Sequence, residues 1–137
     1  KKLFESEIPE MSDGTIEIKA VSREAGSRSK VALLSHNPDV DPVGSCIGPL
    51  KSRISAITQE LGGERVDLLK FDEDKSKFIA AALSPAQVTS VEFKDDSTNS
   101  CKVTVPSNQL SLAIGNQGQN VRLAARLTGY KIDIHAE

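Results

Sequence analysis

The sequence predicts an α+β chain of two consecutive units, each running α-β-β-α-α-β with a three-stranded sheet covered by helices. An internal repeat is the first observation behind this. Ile47-Gly48-Pro49-Leu50-Lys51-Ser52-Arg53-Ile54 resembles Ile114-Gly115-Asn116-Gln117-Gly118-Gln119-Asn120-Val121, with the same apolar-Gly opening and the same closing apolar position. Downstream, Leu61-Gly62-Gly63 with Val66-Asp67-Leu68 parallels Leu127-Thr128-Gly129 with Ile132-Asp133-Ile134. The second observation is the order of apolar patterns, which is the same before and after each motif. The boundaries that follow are residues 1–72 and residues 73–137.

In the first unit, residues 3–11 mix apolar and acidic positions as a short helix does, and Ser12-Asp13-Gly14 ends it. Residues 15–22 alternate, with Ile16, Ile18 and Ala20 expected on one face, and residues 30–35 form a second β-rich run. Glu24-Ala25-Gly26-Ser27 joins them as a hairpin turn. In the second unit, residues 75–83 read as helix, 87–93 as strand, 94–99 as turn and 100–105 as strand. Short helices precede each glycine motif at residues 43–47 and 109–114, with Asp41 before Pro42, and Ser107 after Pro106, as expected N-caps. Helical spacing follows at Ile54, Ile57 and Leu61, and at Val121, Leu123, Ala124 and Leu127. Gly62-Gly63 and Gly129 stop these helices, where a left-handed residue is needed. Residues 65–71 and 130–135 are the closing strands.

Composition narrows the function classes. With 17 Lys+Arg against 19 Asp+Glu the net charge is −2, which excludes a histone-like polycation but leaves room for a local basic patch. No apolar run approaches the ~20 residues of a membrane-spanning helix, so no membrane association is expected. Cys46 and Cys101 have no C-x-x-C partner, so neither a disulfide framework nor a cysteine zinc site is suggested, and a reducing, cytoplasmic setting fits. Four Phe and one Tyr are too few for a surface that stacks successive bases. Lys1 is not a natural initiator, so the chain reads as part of something longer.

A Gly-x-x-Gly turn between two short helices lets the backbone approach a ligand closely, because glycine has no Cβ to hold a phosphate away. Amides at the start of the next helix then face the anion. Gly115, Asn116, Gln117 and Gly118 meet this requirement, and Arg122 and Arg126 follow on one helical face. Single-stranded RNA backbone is the ligand this chemistry suits. The unit resembles the KH family in its bacterial (type II) topology, and within it the tandem KH region of NusA-like bacterial transcription factors. The residues that carry the resemblance include Glu7-Ile8-Pro9-Glu10, residues 14–20, Arg23-Glu24-Ala25-Gly26, Asp39-Val40-Asp41-Pro42-Val43-Gly44, Ala82-Leu83-Ser84-Pro85-Ala86, and residues 109–134. The resemblance implies single-stranded, nascent RNA as partner, RNA polymerase as a partner of the full-length protein, and a role in pausing, termination and antitermination. The residues themselves offer no acid/base pair or ligand set, so no enzyme activity, cofactor or metal is expected, and a monomer is expected. Candidate RNA-binding residues in the second unit are Gly115, Asn116, Gln117, Gly118, Gln119, Arg122 and Arg126.

The first loop departs from the family's Gly-Pro-Lys-Gly. Here it reads Gly48, Pro49, Leu50, Lys51, without the fourth glycine. If that position needs a positive φ, Lys51 weakens the site; if it is the first turn of a helix, the Lys51 ammonium restores a phosphate contact. Arg53 is a further candidate phosphate ligand, and the second unit is expected to dominate.

Competing readings are weaker. A nucleotide phosphate loop requires glycine where Leu50 stands. Asp39 and Asp41 read as turn and cap residues, and His36 and His135 as surface or strand-end groups. Cys46 and Cys101 are expected as small core hydrophobes. Arg23, Arg28 and Lys30 are either solvated surface charges or an extension of a basic track. Leu112, Ala113, Ile114, Val121 and Leu123 divide between core and groove lining. A protein-docking module in a transcription or ribosome-linked complex is the alternative function, supported by the degenerate first loop. An RNA-processing enzyme with KH appendages would need a catalytic constellation that these residues do not offer.

Overall fold

The computed structural model describes residues 9–37, 39, 41–43, 52–95 and 99–137. Two compact units partition the chain, Lys1–Phe71 and Asp72–Glu137. The first loop, with Gly48, Pro49, Leu50 and Lys51, lies outside the described residues, as do Cys46, most of the first expected helix and most of the helix expected at 43–47.

The first unit opens with α1 (Pro9–Ser12), followed by β1 (Ile16–Glu24), β2 (Arg28–Ser35), α2 (Ser52–Glu60) and β3 (Arg65–Lys70). Asp13 and Gly14 end α1 through amide bonds back to Pro9 and Met11, and Gly14 adopts φ +86°. A tight turn makes β1 and β2 antiparallel, whereas the helical crossover returns β3 parallel to β2, giving sheet order β1-β2-β3. Asp41 Oδ1 accepts from the Val43 amide, as an N-cap does. Met11, Ile16, Val31, Leu33 and Ile57 form the buried core.

Two expectations fail here for physical reasons. Ile18 pairs with Leu33 but Ala20 with Ala32, because a bulge between them breaks the alternation, so Ala20 faces away from Ile18. Arg28 and Lys30 are not solvated charges: Arg28 is 7% and Lys30 0% exposed. Arg28 Nε (2.9 Å) and Lys30 Nζ (2.8 Å) share Asp67 Oδ2, and Arg65 Nε sits 3.2 Å from Oδ1. A buried cation persists only when paired, and the pairing of Lys30 opposite Asp67 in the sheet supplies the partner.

The second unit runs α3 (Lys75–Ala82), β4 (Ser90–Asp95), β5 (Ser100–Val105), α4 (Leu110–Ile114), α5 (Gln119–Thr128) and β6 (Lys131–Ala136). Its sheet order is β4-β5-β6, again antiparallel then parallel. Asp74 caps α3, its Oδ1 accepting from the Ser76 hydroxyl at 2.7 Å, the main cause that holds its carboxyl below the ordinary value, and from the Ser76 amide at 3.0 Å. The alternation of β5 is intact: Cys101, Val103 and Val105 are fully buried, and Leu123, Ala124 and Leu127 of α5 bury the matching face. Each large aliphatic side chain so buried contributes about 1.5–3 kcal/mol. Ser107 is not an N-cap: it lies inside a 3₁₀ turn, Ser107–Gln109, that Pro106 opens with no side-chain cap. Strand β4 starts later than expected, because the Gln87 amide is bound by the Gln109 side chain instead of a neighbouring strand.

Candidate nucleic-acid interface

Helix α4 ends at Ile114, and the Gly115 amide closes its last turn on Ser111 O at 2.9 Å. Gly115 then takes φ +82°, ψ 172°, a region open to glycine alone. Asn116 to Gly118 form one 3₁₀ turn in which Gln117 (φ +56°) and Gly118 (φ +75°) are left-handed. Within it the Gly118 amide donates to Gly115 O at 3.1 Å and the Gln119 amide to Asn116 O. The Asn116 and Gln117 N–H groups have no acceptor among the described residues, and both residues are exposed. Two adjacent donors on exposed residues, just before a ten-residue helix, favour an anion.

The side chains around the loop divide the expected positions. Arg122, half-buried, donates from Nη1 to Gln117 O at 3.1 Å and so braces the turn, while Arg126 is exposed in the last turn of α5. Gln119 is half-buried at the start of α5. Leu112 (43% exposed) and Ile114 (36%) stay open beside the loop, whereas Ala113 and Leu123 are fully buried. Of the five positions weighed between core and groove, two are core, two are exposed, and Val121 is half-buried.

In the first unit, Arg53 Nη1 contacts Glu10 Oε2 at 2.8 Å, tying α2 to α1. Arg23 does not extend a basic track. Its Nε and Nη2 grip Glu64 at 2.8–3.0 Å, and Glu64, 0% exposed, also accepts from the Gly26 amide at 2.9 Å. The guanidinium holds the Glu64 carboxyl below the usual carboxylate range against the opposing cost of burial. His36 lies 3.1 Å from Glu17 and His135 3.0 Å from Asp133, all half-exposed surface groups.

One residue at the loop escaped the sequence reading. Asn120 is 0% exposed, and its Nδ2 donates to Ala113 O (2.9 Å) and Leu83 O (3.0 Å). The signal lay in its position: Asn120, Leu123, Ala124 and Leu127 occupy one stripe of α5, and a polar residue at the head of an apolar stripe needs a partner.

The α-β-β-α-α-β order of the second unit, with a glycine turn between its paired helices, preceded by a first unit whose described elements follow the same helix-strand-strand-helix-strand path, defines a tandem KH protein of the bacterial type. Family models agree: the NusA-like first KH domain matches residues 1–71 and the NusA-like second KH domain residues 75–137. The chain belongs to the NusA-like KH family. Relatives include the transcription termination/antitermination proteins NusA of Halalkalibacterium halodurans and Bacillus subtilis. Each is 53% identical over the whole chain, which covers 36% and 37% of their lengths. The NusA of Thermus thermophilus is 54% identical over 98% of the chain and 34% of its own length. The chain therefore spans about a third of these relatives. Among solved structures, the crystal structure of APE1850 superposes with a TM-score of 0.69 at 18% identity, covering 98% of this chain and 94% of that one, a likeness of fold. No described helix is long and apolar enough to cross a membrane.

Proposed function

We propose that the chain grips single-stranded RNA and serves as the RNA-binding region of a factor that modulates transcriptional pausing, termination and antitermination. Its immediate partner is nascent RNA, and RNA polymerase is a partner of the full-length protein. It acts in the cytoplasm as a monomer, by binding and not by turnover. The observation that carries this reading is the pair of Asn116 and Gln117 amides, without an acceptor among the described residues and borne by exposed residues just before α5. They receive a phosphate, Arg122 and Arg126 add charge along the same helix, and Leu112 and Ile114 offer apolar contact to bases. The Gln119 side chain completes the rim. The first loop (Gly48, Pro49, Leu50, Lys51) with Arg53 contributes a weaker second contact. The names borne by the relatives support the transcriptional role.

The test is a paired substitution, Asn116→Asp with Gln117→Asp. Aspartate tolerates the left-handed backbone of position 117, so the variant changes charge more than conformation. RNA affinity falls at least about tenfold at roughly 0.1 M salt, with unchanged unfolding, if the loop meets phosphate. Unchanged affinity contradicts the assignment.

A further inference from the structure

We infer that Asn120 is a positioning residue for the RNA-binding loop: its side-chain amide clamps the loop to two helices and keeps the Asn116 and Gln117 donors presented. This rests on the RNA reading of that loop.

Three observations converge. Asn120 Nδ2 spends both hydrogens on carbonyls at helix C-termini, Ala113 O in the last turn of α4 and Leu83 O at the end of α3. Those carbonyls are among the groups a helix end leaves without an intrahelical donor. The bond to Ala113 fixes the strand of backbone that enters Gly115, and the bond to Leu83 ties it to a helix from the start of the unit. Next, Gly115 lies directly against Asn120, whose backbone N and Cβ stand 2.6 and 2.7 Å from where a Gly115 Cβ would be. The entry to the loop and the first turn of α5 are thus in contact at one residue. Finally, Asn120 Oδ1 is buried with no hydrogen-bond partner among the described residues. An amide that leaves its own oxygen unsatisfied in the interior is a costly way to fill space, since an apolar side chain of the same shape would carry no such penalty. What the amide supplies and leucine cannot is the pair of donors that orient the two carbonyls. A preformed loop binds without a further ordering cost, so loosening it weakens RNA binding without touching any group that contacts RNA.

Two variants separate positioning from bulk stability. Asn120→Leu keeps the branched four-atom side chain, with bulkier methyl ends, and removes the donors; Asn120→Ala removes the donors without adding bulk. Amide hydrogen exchange is followed at Gly115, Gly118 and Gln119, whose bonds define the turn, against Cys101, Val103 and Val105 in the central strand of the same unit. RNA affinity is measured in parallel, alone and combined with Asn116→Asp/Gln117→Asp. The inference predicts that Asn120→Leu speeds exchange at the loop amides but not in β5, weakens RNA binding about tenfold, and adds nothing once the loop pair is replaced. Loop exchange unchanged, or accelerated equally in β5, overturns the positioning role. The exchange measurements need no RNA, so a wild-type chain that fails to bind RNA refutes the RNA reading while these amides still decide on the clamp.

Discussion

Gly115 and Asn120 share a space that admits no side chain on the glycine: a Cβ there would stand 2.6 Å from the Asn120 backbone nitrogen. The obstacle is backbone, which a rotamer change cannot clear. Gly118, by contrast, has only the movable Arg122 Nη1 within reach, at 3.9 Å.

The two loop glycines therefore differ in what they require. Gly115→Ala forces both a forbidden backbone region and a collision, and costs about 3 kcal/mol or more. Gly118→Ala meets only the left-handed penalty of about 1–2 kcal/mol. Urea unfolding of the two variants checks the order, and equal losses would contradict it.

Charge along α5 is expected to act through phosphate. Arg126→Ala reduces affinity for single strands evenly across sequences and lowers the log-log salt slope by about 0.7. Arg122→Ala does the same and also frees Gln117 O, so its loss exceeds that of Arg126→Ala. Salt titrations of the two variants test the ranking.

Acid sensitivity in the first unit traces to Glu64. Its carboxyl is lowered from 4.5, first by the Arg23 hydrogen bond, with the Gly26 amide and Arg23 charge adding and burial opposing. A depressed carboxylate contributes stability that is complete above its unfolded value and lost as pH falls through the folded one. Glu64→Gln is therefore less stable at neutral pH and loses less on acidification below about 4.5. Urea midpoints across that range give the comparison; parallel curves for variant and wild type would rule Glu64 out.

The cations on Asp67 are unequal in what they need. Asp67→Ala removes the carboxylate that Arg28 and Lys30 share in the interior and costs about 3–5 kcal/mol. Lys30→Met leaves Asp67 with Arg28 and Arg65, and removes an ammonium that burial already pushes below its ordinary value, so it costs less than half as much. Denaturant unfolding at neutral pH distinguishes them.

Much of this fold was legible because its signals are local. The run of residues 100–105 matches β5 at both ends, and Gly62, Gly63 and Gly129 all take the positive φ that a helix stop requires. The loop was legible for the same reason: two glycines at fixed spacing, inside a repeat, state a backbone geometry. What escaped was non-local. Nothing beside Lys30 in sequence announces Asp67, and the bulge that turns Ala20 away from Ile18 inserts one residue into an otherwise regular alternation. Ser107 has the right chemistry for a cap, but Pro106 begins the turn one residue earlier. Asn120 escaped because its two carbonyl partners, Leu83 and Ala113, lie on separate helices and meet it only in the packed unit.

The most direct measurement is fluorescence anisotropy of a labelled single-stranded RNA of about a dozen nucleotides, titrated with the chain at several salt concentrations beside a duplex control. Saturable binding to the single strand alone, weakening with salt at a log-log slope near −3 for roughly four phosphates, is the predicted result. No binding across several RNA sequences, or binding indifferent to salt and to the charge at Asn116 and Gln117, would contradict it and favour a surface that docks protein.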